Sequence, residues 1–157
     1  MRKRLITKIP QEVPLLDQDW LNLDGAAVVE VTSEDKVYPV ESALVSGETR
    51  GWRAADSGAQ TIRLVFDVSQ TLKRIALVFE ETEIERTQEF VLRWSGDYGG
   101  SFQEIVRQQW NFSRPDAMRD VEEYRVELSG VNVLELVIVP DISGGAAHAS
   151  LKSLRLS

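Results

Sequence analysis

Arg50, Trp52 and Arg53 sit within four positions of one another and are the residues of this chain best suited to holding a polar ligand. A tryptophan plane stacks on a sugar face, and guanidinium forks donate paired hydrogen bonds to hydroxyls or a carboxylate. The other place for Trp52 is the core, which would leave the two arginines as the exposed pair. Catalysis has less to work with. A serine nucleophile needs a base, and the single histidine, His148, lies in a glycine and alanine run (GGAAHA) without a nucleophile motif beside it. No paired-histidine metal motif, Gly-x-Ser-x-Gly elbow or phosphate-cradling glycine loop occurs in the sequence. There is no cysteine, so disulfides and thiolate metal sites are excluded. Carboxylates form two runs, Glu80, Glu81, Glu83, Glu85 and Glu89, then Asp120, Glu122 and Glu123. A glycosidase needs two at a defined separation across a sugar. Both runs flank strands with solvated outer faces, which accounts for them, and the first can form a charged rim with Arg86. The expectation is a non-catalytic chain without cofactor or metal.

Bulk properties narrow the partners. A chain of 157 residues reads as one domain able to bury roughly two-thirds of its unfolded surface. The net charge of −7 argues against nucleic acid and anionic membranes, which need a basic footprint. No apolar run reaches the length of a membrane span. The start, MRKRLITKIPQEV, lacks an apolar stretch of signal-peptide length because Lys8 and Pro10 interrupt it, so a cytoplasmic location is expected. Arg2, Lys3, Arg4 and Lys8 read as a solubilising cluster.

The elements that must position these residues are strands. Residues 1–25 read as an irregular arm punctuated by Pro10 and Pro14. Ala26 to Thr32 alternates as a first strand, and Ser33 to Gln60 is a long loop broken by Pro39, Gly47, Gly51 and Gly58. TIRLVFDV then sets Ile62, Leu64 and Phe66 on one face, and LKRIALVFEET does the same with Ile75, Leu77 and Phe79. Gln88 to Phe112 reads as two strands joined by the turn SGDYGGS, carrying two of the four tryptophans. Phe102, Ile105, Val106 and Gln109 also fit a helical stripe, a rival to the second of those strands. VEEYRVEL and VLELVIV follow, the latter closed by Pro140. ASLKSLRLS breaks alternation between Leu151 and Leu154, as a bulge would. About eight strands at this spacing predict an all-β antiparallel sandwich or jelly roll.

Antiparallel order has a consequence for function. Successive connections fall alternately at the two ends, so Ser33–Gln60, Thr82–Thr87, Ser113–Arg119 and Asp141–His148 share one end. Ser69–Thr71, Gly96–Ser101 and Gly130–Asn132 share the other. Binding residues concentrate on loops held by a rigid scaffold. The first end is therefore the expected functional surface, with Arg50, Trp52, Arg53, Asn111, Arg114, Asp116, Asp141 and His148 as its candidates and Tyr38 as an added aromatic.

The run ESALVSGETRGWRAADSGAQTIRLVFDVSQTLKRIALVF, with FVLRWSGDYGGSFQEI and VLELVIVPDISGGAAHASLKSLRL, resembles the galactose-binding-like superfamily of discoidin or coagulation-factor C-type domains and related carbohydrate-binding modules. The resemblance covers roughly residues 41–157. It implies an eight-stranded jelly roll whose loops at one end bind glycans, lipids or proteins, and it implies Trp52 as a plug of the barrel end. Many members hold calcium through an aspartate before the tryptophan and a glutamate in the final strand. Ser46 and Ser153 stand at those places here, which leaves a poor calcium site. Carbohydrate is the first expected ligand and a protein partner the alternative.

Overall fold

Alternating apolar residues draw each extended segment onto a shared buried layer, and the resulting architecture is all-β. The computed structural model describes residues 20–157 apart from residue 49, so most of the expected N-terminal arm lies outside the described residues. Eight strands occur among them: β1 (Ala27–Val31), β2 (Trp52–Ser57), β3 (Gln60–Glu80), β4 (Arg86–Ser95), β5 (Gln103–Phe112), β6 (Arg119–Val139), β7 (His148–Leu151) and β8 (Ser153–Leu156). One helical turn, α1 (Glu41–Leu44), interrupts the long early loop.

The number of strands matches the expected eight, but the pieces differ. TIRLVFDV and LKRIALVFE are one continuous strand, β3, and VEEYRVEL and VLELVIV are one strand, β6. β3 and β6 pair antiparallel from Gln60↔Ile138 to Glu80↔Arg119, with register shifts between Val65 and Arg74. This ribbon cannot be straight. Gln60 shares a row with Ile138 and Phe90, and Phe79 lies nineteen residues further along β3, roughly 60 Å away if extended. Yet the Phe79 and Phe90 rings stack with centroids 5.0 Å apart. The ribbon therefore doubles over at its register shifts and contributes each of its halves to a different layer. One layer holds β1, the start of β3, the end of β6, β4 and β5. The other holds β8, the end of β3 and the start of β6.

The expected inward faces are buried: Ile62, Leu64, Phe66, Ile75, Leu77, Phe79, Phe90, Leu92, Leu134, Leu136 and Ile138 form one core cluster. β5 is extended, in agreement with the strand reading of that segment. It is less buried than its aromatic content suggests, because it pairs with β4 alone and has one open edge. The solvent side of the larger layer carries a charge ladder in register, Glu30↔Arg63↔Glu135↔Arg93↔Glu104. Glu135 is 1% exposed because Arg63 and Arg93 cover it from both sides, with Arg63 Nη2 at 2.6 Å.

β2 and β7 form a separate two-stranded sheet. β2 lies inside the segment read as loop, where Gly51 and Gly58 hid its short alternation. The expected bulge in ASLKSLRLS is a change of sheet: β7 pairs with β2, Lys152 donates its backbone N–H to Val78 O, and β8 pairs with β3.

Candidate functional site

A cleft of about 540 Å³ opens where the β2–β7 sheet meets the end of β3. Tyr38, Arg50, Arg53, His148, Ser150 and Lys152 form one wall, and Glu80 to Ile84 form the other. The first wall depends on one close approach. Trp52 pairs with Leu151 and Arg53 with Ser150, which brings Gly51 onto the β7–β8 junction. A Cβ on Gly51 would lie 2.7 Å from Leu151 O, and its φ of +77° is in the region that favours glycine. Tyr38 is held against this wall by the Arg53 N–H, which donates to Tyr38 O at 3.1 Å.

The charges of the two walls are in different states. On the acidic side, Glu80 pairs with Arg119 at 3.2 Å. Glu81 accepts Arg86 Nε at 2.7 Å and the backbone N–H groups of Thr82 and Glu83 at 2.9 Å each. Burial pushes the Glu81 carboxyl up, but the Glu83 N–H and the Arg86 guanidinium outweigh it and hold the group below the ordinary range. Arg86 is itself buried, with its Nη1 on Pro140 O and its guanidinium 4.7 Å from the centre of the Phe112 ring. On the basic side, Arg50 donates to Val37 O at 3.2 Å, and Arg50, Arg53 and Lys152 form no ion pair with any described residue.

The cleft gathers Arg50, Arg53 and His148 from the expected set, and Tyr38, 36% exposed, joins them. Trp52 also borders the cleft. It is 1% exposed and its indole N–H is committed to Ser33 O at 3.0 Å, so it plugs the core beneath the cleft floor. His148 faces Ala54 O through Nδ1 at 3.0 Å. Arg114, Asn111 and Asp141 lie at the same end but do not line the cleft. Arg114 donates to Thr82 O and Glu83 O, bracing the turn behind the acidic wall. Asn111 accepts from Thr87 Oγ1, and Asp141 accepts from the Ser143 hydroxyl, which helps hold its carboxyl below the usual range. Asp116 is exposed and also outside the cleft. Lys152 was not legible in advance, since only the change of sheet after β7 places it beside Arg50.

The residues present do not fit the structural calcium of the resembling superfamily. Ser46 is exposed, Ser153 starts β8, and no group of three or more acidic, histidine or cysteine side chains arranged for a metal occurs among the described residues. The carbonyls of this loop instead meet a side-chain cation. Arg155 of β8 donates to Ala43 O at 2.9 Å and to Val45 O at 3.1 Å, tying α1 to the last strand. A guanidinium offers the same electropositive partner to carbonyl oxygens that a metal would.

One further polar group is buried in the sandwich interior. Asp120, 2% exposed, opposes Phe79, and its hydrogen-bonded neighbour Glu122 accepts the Tyr124 hydroxyl. Burial first, and then the Glu122 carboxylate, push Asp120 up to about 8. The same two causes raise the Tyr124 hydroxyl. None of the three lines the cleft.

The family profile for the XRCC1 N terminal domain matches residues 22–84. No curated protein matches the chain by sequence. Among solved structures, the family 32 carbohydrate-binding module of C. perfringens NanJ, in complex with galactose, superposes with TM-score 0.61 at 14% identity, covering 83% of this chain and 92% of that one. The module CBM32-3 from a family 31 glycoside hydrolase of Clostridium perfringens gives 0.63 at 18% identity over 88% of this chain and 94% of that one. The family 32 module of AlyQ, in complex with 4,5-unsaturated mannuronic acid, gives 0.60 at 15% identity over 83% and 93%. The doubled ribbon, the two unequal layers and these superpositions identify the chain as having the galactose-binding-like jelly-roll fold.

Proposed function

We propose that the chain is a non-catalytic binding module that takes a glycan in the cleft between the β2–β7 wall and Glu80–Ile84. The observation that carries this reading is the convergence of exposed Tyr38, Arg50 and Arg53 around a cleft at the loop-rich end. The fold is shared with modules whose structures hold galactose and an unsaturated mannuronic acid. An aromatic edge beside forked donors suits the alternating apolar faces and hydroxyls of a sugar ring. The lone histidine and the paired acids of the cleft supply no nucleophile with its base. A glycan array probed with the parent chain and with Arg50→Ala and Arg53→Ala tests it. Binding to a sugar set that is lost in either variant, with unchanged melting temperature, is the expected result. No bound sugar, or binding indifferent to both changes, removes the reading.

A protein partner is the second reading, favoured by apolar side chains around the same end. Val37 is 54% exposed, Ile84 46% and Ile142 48%. Such a rim suits a protein surface better than a sugar. A stoichiometric partner captured by the parent chain and lost with Ile84→Asp is the outcome expected on this reading.

A further inference from the structure

The charge state of the cleft carries the glycan reading one step further, to the class of saccharide, and the step rests on that reading. The whole chain has a net charge of −7, so an anionic ligand is repelled at long range. Within the cleft the balance is reversed. Of its acids, Glu80 is paired with Arg119 and Glu81 with Arg86 together with backbone N–H groups, which leaves Glu83 without a cationic partner among the described residues. Of its cations, Arg50, Arg53 and Lys152 have no acidic partner among the described residues. Three open cations therefore face one open carboxylate.

The geometry explains why the two sets differ. Glu81 is held by the turn it caps, and Arg86 is fixed by Pro140 O and the Phe112 ring, so the acid is locked into the scaffold. The cations stand beside the β2–β7 sheet and at its junction with β8, and none of them makes an ion pair with a described acid. Arg50 uses one donor on Val37 O, and the rest of its fork is open. Two forks and an ammonium grouped on one wall match a ring carboxylate flanked by hydroxyls.

We infer that the cleft selects saccharides bearing a carboxylate over their neutral counterparts, with Arg50, Arg53 and Lys152 supplying the discrimination. The matched probes are a trisaccharide of galacturonic acid and its full methyl ester, titrated calorimetrically against the intact chain. At about 50 mM salt the acid form is expected to bind roughly tenfold more tightly, and at about 300 mM the preference should shrink severalfold, since exposed charges are screened. Arg53→Gln and Lys152→Gln should each cut the acid-over-ester preference about threefold or more. If the ester binds as well as the acid, or the preference survives both substitutions, the charge inference is overturned and the glycan reading stands. If neither probe binds and a wider array is also silent, the glycan reading falls and takes this inference with it. A sulfated trisaccharide that outcompetes the acid would also overturn the assignment to carboxylate.

Discussion

The two ends of the sandwich treat their polar groups in opposite ways. At the β4–β5 turn the side chains of Ser95, Asp97 and Asn132 are closed on neighbours. Asp97 accepts the Ser95 hydroxyl at 2.6 Å and both the N–H and hydroxyl of Ser101 at 2.8 Å, while Asn132 Oδ1 takes the Tyr98 N–H at 2.8 Å. Led by the Ser95 hydroxyl, these donors hold the Asp97 carboxyl down at about 2. At the cleft end Glu80 and Glu81 are closed in the same manner, but Arg50, Arg53 and Lys152 have no acidic partner among the described residues. A saturated polar set fixes a hairpin and has nothing left for a ligand; an unsaturated one holds donors in reserve. Composition alone does not separate the ends, since SGDYGG looks as much like a site as TRGWRA does.

The largest effect that can separate the ends is steric. Gly51→Ala places a Cβ against Leu151 O at positive φ and should cost about 2 to 3 kcal/mol, with loss of ligand binding as the β2–β7 wall shifts. Gly58→Ala has the same sign of φ but open space around it, so a loss of about 1 kcal/mol is expected. Equal melting temperatures for the two variants would remove the close approach as the organiser of the cleft. Next in size is Arg155→Met, which removes the guanidinium donor from Ala43 O and Val45 O. A loss of about 1 to 2 kcal/mol is expected, without rescue by millimolar calcium. A clear rise in melting temperature on adding calcium to the parent chain would contradict the poor fit of the metal.

A smaller effect depends on pH. Asp120 is raised in the folded state to about 8 from an ordinary carboxyl value, so the folded chain binds the extra proton between those two limits. Stability from this group is therefore present at low pH and lost as pH rises from about 4 towards 8. Asp120→Asn should melt with the parent chain near pH 4 and a few degrees above it near pH 8. Parallel melting curves across that range would show that the buried pair does not titrate as described. The smallest change is expected from Asp97→Asn. Stability supplied by this carboxylate is present above the ordinary carboxyl value and lost as pH falls through about 2. The variant should melt slightly lower at neutral pH with unaltered ligand binding. A binding defect here would break the contrast between the ends.

Much of this arrangement was legible beforehand. The grouping of connections by end holds: Tyr98 N meets Asn132 at one, while Ile142 N meets Thr87 O and Glu81 N meets Met118 O at the other. It survives the fusion of four expected strands into β3 and β6 because a ribbon that doubles over reverses direction as a turn would. What could not be read was Glu135. Alternation puts it on the solvent side, as it is, but its burial comes from Arg63 and Arg93 on two other strands. Trp52 was left between ligand and core, and the neighbour that decides it, Ser33 O, lies nineteen residues away.

Local periodicity and the order of breakers by themselves determined the strand faces, the all-β class and the end at which the loops converge. These follow from which side of an extended chain each residue occupies, a property carried by the backbone alone. The tertiary structure decided which charges are spent. Whether an arginine is open depends on where the carboxylates of distant strands come to rest, so Arg86 is locked beside Glu81 while Arg53 and Lys152 make no ion pair with any described residue. Pairing is long-range in sequence and short-range in space, and only the fold converts one distance into the other.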